Sequence, residues 1–392
     1  MFSQNLFIEE SSQMCIMKLD KEICLGGHYN DRDVSGIKFN GYYIYGWQPN
    51  YKGEYGHNIY TITITEENTT VTLEDLNSNC VNTIEHYTNW GDGIKNSKTN
   101  HVYKAIGTYT ITTTLFIKYD NAAIKLIDSV QDMRTDIKEG ARLFSDATNM
   151  NSFNMSGCNN LISTLRMFSN CTSLTSLTLP DAIISTSYMS FEDAFLNCSS
   201  LTSLDLSSLN FVRTDSSSYA PSISAFATFA GCSSLKTLDI SNWTNYRMSS
   251  LRETFSGCSS LESIDVSNWD TSGTYSMYYT FGGCSSLKTL DLTNWSTAYF
   301  ESYSSAVNTN KYNAEGMFAG CSSLETIIFG PEFTMKGNAS MQEMFRNCKS
   351  LKTLDLSGWD TSKCVTTAEM FYGCNNLESL NLSGFNTSNV TS

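Results

Sequence analysis

From about residue 144 onward, apolar residues return in a fixed frame rather than along a continuous helical stripe. The segment Phe255-Ser-Gly-Cys258-Ser-Ser-Leu261-Glu-Ser-Ile264-Asp265-Val266 shows it: Phe, two small residues, Cys, two polar, Leu, two polar, then apolar, polar, apolar. The closing alternation predicts a short strand, because successive strand side chains point to opposite faces. A polar turn follows, such as Ser267-Asn-Trp269-Asp270-Thr-Ser. Then comes a stretch such as Ser340-Met341-Gln-Glu-Met344-Phe345, where Met341, Met344 and Phe345 would share one face of a short helical turn. Earlier in the chain the alternation is purely strand-like. Ile59-Tyr-Thr-Ile62-Thr-Ile64, Thr69 to Leu73, and His101 to Leu115 each predict a strand, and Ile124-Lys-Leu126-Ile127 predicts the first strand of the repeats.

The frame recurs at Cys171, Cys198, Cys232, Cys258, Cys284, Cys321, Cys348 and Cys374, with spacings of 27, 34, 26, 26, 37, 27 and 26. A degenerate copy places Phe144, Ala147, Met150, Phe153 and Met155 in the same frame. A fixed period in this range marks an array of stacked units, since one unit cannot bury its own leucines. Phe281-Gly-Gly-Cys284-Ser-Ser-Leu287-Lys-Thr-Leu290-Asp-Leu and Trp359-Asp360-Thr361-Ser362 resemble the BspA-type leucine-rich repeats of bacterial surface proteins. Before them, Trp90-Gly91-Asp92-Gly93, His101-Val-Tyr103 and Gly107-Thr-Tyr109-Thr110-Ile111 resemble the signatures of the polycystic-kidney-disease (PKD) type of Ig-like domain. The resemblance implies a mostly β fold with short helical turns, an Ig-like β-sandwich followed by a leucine-rich-repeat solenoid. The divisions expected are residues 1–58, a β-rich attachment or accessory segment marked by Tyr42, Tyr43, Tyr45 and Trp47; 59–120, the PKD-like sandwich; and 121–392, the solenoid. It also implies a surface protein used in adhesion or recognition, with no defined ligand.

Composition narrows the partners. Charged residues make up 16% and the net charge is −14. Nucleic-acid affinity rests on clustered Lys and Arg, so no nucleic-acid partner is expected. Thirteen cysteines would suggest disulfides in a small secreted chain, but here eight of them hold one repeat position. A reduced column of small buried hydrophobes is the expected state, with oxidation between neighbouring coils the alternative. No stretch is long and apolar enough to span a bilayer, so no membrane insertion is expected.

Stacked repeats can be read as columns. The residue after the first leucine of each strand alternates in sign: Lys236, Glu262, Lys288, Glu325, Lys352, Glu378. Opposite charges on neighbouring strands attract, so this ladder would set coil register, and it implies that the extra residues between Cys284 and Cys321 loop out. The outward strand position reads Thr178, Asp205, Asp239, Asp265, Asp291, Ile328, Asp355, Asn381, flanked by hydroxyls. Adjacent carboxylates repel unless hydrogen-bonded or counter-charged. They therefore either accept local hydrogen bonds or form an acidic face for sugar hydroxyls, a cation or a basic partner. No cofactor is expected; Ca2+ is a cation such a row could hold. The candidate ligand-binding residues are Asp205, Asp239, Asp265, Asp291 and Asp355, with Tyr299 and Tyr303 from the insertion before Cys321. A third column, Trp243, Trp269, Trp295, Trp359 and Phe385, is either a corner of the core or an aromatic contact stripe. The sequons at Asn170 and Asn197 adjoin repeat cysteines and carry no weight.

The four histidines, His28, His57, His86 and His101, all precede the repeats. Cys24 with His28, Cys80 with His86, and Asp92 with His101 make weak metal or catalytic pairs. No phosphate loop or nucleophile elbow is present, so no enzyme activity is expected. The N-terminus lacks a basic segment followed by an apolar run. That favours a virion-displayed fibre, decoration or tail protein, whereas the family resemblance favours a bacterial surface adhesin; a purely structural component is the third reading. The partner expected is a protein or glycan on a cell surface, with a partner chain at the uncapped C-terminal coil.

Overall fold

A computed structural model describes residues 37–39, 42–44, 58–74, 88–113, 116–117, 122–133, 142–156, 164–180, 182–185, 188–213, 222–302, 314–338 and 340–391. The chain is mostly β with little helix. Among the described residues, helix is confined to two 3-10 turns, Ala122–Leu126 and Ser241–Asn245, and one α-turn, Tyr299–Ser302.

Of the first 57 residues only a hairpin is described, Ile37–Phe39 antiparallel to Tyr42–Ile44. The next strand, Asn58–Ile64, buries alternate residues, as its pattern predicts. It pairs antiparallel with Gly107–Thr113. A second small sheet runs Asn100–Tyr103, Thr69–Glu74, Phe116–Ile117. Tyr60, Ile62, Val71, Trp90, Tyr103 and Ile111, drawn from both, are all fully buried. Asp92 serves the turn and the packing around it. Its carboxylate accepts the Ile94 amide at 3.1 Å and bonds His101 Nε2 at 2.7 Å. The His101 ring in turn stacks on Trp90 at 5.0 Å. Gly91 is required here, at φ 85°, because a Cβ would strike the backbone of Thr110.

The junction to the repeats is a shared sheet. Ile127–Met133 pairs antiparallel with Asn58–Ile64 on one edge and parallel with Ser152–Asn154 on the other. Ser152–Asn154 then pairs parallel with Ser176–Thr178. The first repeat strand thus begins at Ile127; the expected strand at Ile124 is the 3-10 turn Ala122–Leu126 instead. Gln131 and Asp128 add side-chain bonds to Thr61 and Thr63 across the same seam.

Beyond it, coil lies on coil. Phe144, Phe168, Phe195, Phe229, Phe255, Phe281, Phe318, Phe345 and Phe371 form one column of stacked rings, with centroids 5.3–6.0 Å apart. The column runs unbroken past the long 284-to-321 interval, and Thr289–Leu292 pairs in register with Thr326–Phe329 across it. The strands beside the column are short. Residues 261–266, in the copy around Cys258, carry no strand at all.

The helical turn expected at Ser340–Phe345 does not form. Each coil instead runs through consecutive turns with two left-handed residues four apart, such as Glu253 (φ 55°) and Gly257 (φ 76°), or Glu343 (φ 55°) and Asn347 (φ 60°). A right-handed helix cannot contain them. Amides there alternate in direction. Glu253, Phe255 and Gly257 donate to Tyr278, Thr280 and Gly282 of the next coil, while Thr254, Ser256 and Cys258 donate three residues back. The turns therefore act as a second ladder between coils, and Met341, Met344 and Phe345 are still fully buried.

The cysteines complete the ladder. All eight frame cysteines are free thiols. Each Sγ–H donates to the carbonyl of the frame phenylalanine one coil earlier, at 2.9–3.2 Å, from Cys171 to Phe144 through to Cys374 to Phe345. Burial pushes Cys232 and Cys321 up to about 12, and Cys198, Cys258 and Cys284 well up as well. They are neutral at physiological pH. The coil carrying Leu377, Leu380 and Leu382 keeps these leucines partly open, with Leu380 37% exposed, against 5% for Leu354.

Candidate functional site

The outward strand residues sit on one open face. Asp205 lies opposite Asp239 in a parallel pair. Together with Asp265, Ser203, Thr237 and Ser241 they line a shallow cavity of about 540 Å³. Asp291 is opposite Ile328, and Asp355 opposite Asn381. The structure therefore gathers three carboxylates of the row, and Ile328, 49% exposed, interrupts it.

Each carboxylate closes its own turn. Asp205 Oδ1 accepts the Ser207 amide at 2.9 Å and the Ser207 hydroxyl at 2.6 Å. Asp265 repeats this with Ser267 at 3.1 and 2.7 Å, and Asp291 with Thr293. Asp239 accepts the Ser241 amide, and Asp355 the Ser357 amide. These bonds satisfy turn donors two residues on, the reason Asp suits such turns. The Ser207 hydroxyl, then its amide, holds the Asp205 carboxyl below the usual carboxylate range; Thr293 does the same for Asp291 and Ser357 for Asp355. The local bonds of Asp205, Asp239, Asp265 and Asp291 all go to Oδ1. All four residues are exposed, so the face presents carboxylates pinned by their own turns.

The insertion residue Tyr299 is not part of this face. Its ring lies under the guanidinium of Arg247, 5.7 Å from centroid to Cζ. Tyr303 lies outside the described residues. The charge ladder places Glu262, Lys288 and Glu325 on neighbouring backbones, through Lys288 N to Glu262 O and Glu325 N to Lys288 O. Among the described residues, the ion pairs join other side chains: Arg166 to Asp193, Arg252 to Glu253 and Arg346 to Glu369. The alternation is thus a matter of proximity across coils, without direct pairing.

The tryptophan column is a core corner. Trp243, Trp269, Trp295 and Trp359 are all at most 3% exposed, and Trp243, Trp269 and Trp295 stack at 6.0–6.1 Å. A contact stripe is excluded by that burial. Asn170 and Asn197 are also structural. Asn197 donates its amide to Asn170 and Asn170 to Asp146, both at 2.8 Å, and all three are left-handed. The signal was in the sequence: the residue before each frame cysteine is Asn or Gly, and Asp146 precedes Ala147 in the degenerate copy, each at a position of positive φ.

Residues 135–226 match the family described as BspA type leucine rich repeat region (6 copies). Residues 223–314 and 305–392 match the family described as Mycoplasma protein of unknown function, DUF285. Among solved structures the chain is similar to a leucine-rich repeat protein from Bacteroides ovatus ATCC 8483, at 16% identity over 63% of this chain and 71% of that one, with a TM-score of 0.24. It is also similar to a TLR13–ssRNA13 complex, at 17% identity over 67% of this chain and 34% of that one, with a TM-score of 0.27. No curated protein matches. The match over residues 135–226 supports the leucine-rich-repeat reading of that stretch. No described helix is long and apolar enough to cross a membrane.

Proposed function

We propose that this chain is a non-enzymatic recognition protein of a bacterial cell surface. Its repeats wind into a solenoid that offers the face around Asp205, Asp239 and Asp265 to a protein or glycan on another surface. The carrying observation is that cavity: three exposed carboxylates, each fixed through Oδ1 by its own turn, beside Ser203, Thr237 and Ser241. Fixed acceptors among hydroxyls suit sugar hydroxyls and basic side chains, and they cost little ordering on binding. Two family matches support the setting, one to BspA-type repeats and one described as a Mycoplasma protein. They favour a bacterial surface over a phage virion. The module of residues 59–120, which we take as PKD-like, closes the first coil. The open leucines at Leu377, Leu380 and Leu382 are where a partner chain would pack.

The test replaces all three carboxylates, D205N, D239N and D265N together. Asn keeps the turn acceptor, as Asn381 does natively by accepting the Ser383 amide at 3.1 Å. Binding of the full chain to intact host cells or to a glycan array should fall at least tenfold with the fold retained. Unchanged binding would sink the assignment of this face.

A further inference from the structure

Arg247 stands out among the half-buried arginines. Arg252 and Arg346 each pair with a carboxylate, Glu253 at 3.0 Å and Glu369 at 2.8 Å. Arg247 pairs with none among the described residues, and its buried Nε has no hydrogen-bond partner. A half-buried charge without a partner costs free energy that folding alone does not return. In a chain of net charge −14, its retention calls for a reason.

The surroundings hold the guanidinium in place. Arg247 pairs with Ser222 of the preceding coil and bridges to Asp270 of the next. Its side chain then runs along the stack over Gly273, where a Cβ would collide with Nε and Cζ. It ends above the ring of Tyr299, one coil further. Gly273 is the notch that lets one arginine cross a coil. With Nε turned inward, the terminal nitrogens make no protein hydrogen bond among the described residues and form the outward end of the fork. Asp270, joined to Arg247 through the backbone bridge, is exposed, its Oδ1 held by the Ser272 amide at 2.9 Å.

We propose that Arg247, Asp270 and the Tyr299 ring form a subsite for a carboxylate-bearing sugar, a uronic or similar acid within a surface glycan. A planar guanidinium fork matches a carboxylate through two parallel hydrogen bonds. Asp270 supplies an acceptor for sugar hydroxyls, and the tyrosine ring backs the guanidinium by a cation–π contact. An acidic peptide offers carboxylates but lacks the ring hydroxyls that Asp270 would accept. The subsite rests on the reading of the protein as a surface-glycan binder, but it is separate from the face around Asp239.

The full chain is titrated with tetragalacturonate, its methyl ester and a tetraglutamate peptide, by calorimetry. The acid should bind at least tenfold more tightly than the ester or the peptide. Arg247→Gln should remove that preference; Arg247→Lys should keep part of it, being a charge without a fork. Gly273→Ala should weaken the acid by displacing the guanidinium, with the thermal midpoint of each variant checking the fold. Equal binding of acid and ester, equal binding of the peptide, no binding of the acid, or an unaffected Arg247→Gln protein would each overturn the subsite. If host cells still bind through the Asp205–Asp239–Asp265 face, the broader reading survives that failure. If the triple Asn variant binds cells normally while the acid preference holds, the face falls and the subsite stands.

Discussion

The thiol of Cys258 donates to the carbonyl of Phe229, 3.1 Å away and one coil earlier, while that carbonyl also accepts the Cys232 amide at 3.1 Å. The same pair of contacts explains why the frame carries cysteine. The site needs a small apolar group that is also a weak donor, and a thiol is both.

This column makes stability sensitive to alkali. Burial, the largest cause, raises the folded thiols, with Cys232 and Cys321 at about 12. Unfolded thiols titrate near ~8.5. Above that pH the unfolded chain releases protons that the folded chain keeps, so stability falls as pH rises. Below it both states are protonated and the contribution is constant. Each buried thiol costs up to about 1.4 kcal/mol per pH unit once the unfolded form ionises. Urea midpoints should therefore be flat from pH 6 to 8 and drop steeply from pH 8.5 to 10; a flat profile throughout would contradict a neutral thiol column. Cys374, only half-buried, should be the first frame cysteine that iodoacetamide labels in the native protein.

Gly257 tests the left-handed column. It has φ 76° and sits against Gly231 with room for a Cβ at 3.6 Å. The obstacle is backbone conformation, which costs about 1–2 kcal/mol for an L-residue. Gly257→Asn should be milder than Gly257→Ala, because Asn170, Asn197 and Asn347 hold the same conformation. Denaturant melts of the two variants rank them, and an Ala variant equal to wild type would refute the strain.

Position along the stack should grade the phenylalanine ladder. Phe255 is fully buried between Phe229 and Phe281, whereas Phe371 stacks on one side only, on Phe345. Phe255→Ala should cost roughly 3–5 kcal/mol and Phe371→Ala distinctly less. Equal losses by calorimetry would mean the coils do not share one core.

Removing residues 1–120 should unmake the repeats rather than free them. The strand Ile127–Met133 would lose its antiparallel partner Asn58–Ile64 and leave a bare edge. Such edges recruit other chains. Light scattering on residues 121–392 should report aggregates, and a monodisperse, cooperatively melting fragment would show that the seam is dispensable. Thr63→Val, which loses the bond to Asp128, should cost about 1 kcal/mol in the full chain.

Much of this was legible in the residues. The frame of Phe255, Cys258 and Leu261 named its own buried positions, because a repeat that cannot close its core alone must show the same apolar residues at each return. The strand at Asn58–Ile64 followed from period two. The pattern misled at Ser340–Phe345. Met341, Met344 and Phe345 face inward as helix spacing demands, yet consecutive turns serve the same spacing. The Asn and Gly before each cysteine were the visible sign of left-handed backbone. The aspartate row was legible as a row, but its unequal grouping was not.

The sequence by itself determined the repeat, its buried column and the mostly β character, since these depend on periodicity and on apolar burial. Only the tertiary structure decided which columns pair and which merely pass. Asp205, Asp239 and Asp265 meet at one cavity, Lys288 and Glu325 lie adjacent without pairing, and Arg247 crosses Gly273 to Tyr299. The physical reason is range. Periodicity is written in neighbours along the chain, whereas a side chain spanning two coils depends on residues 26 and 52 positions away, and on a missing Cβ between them.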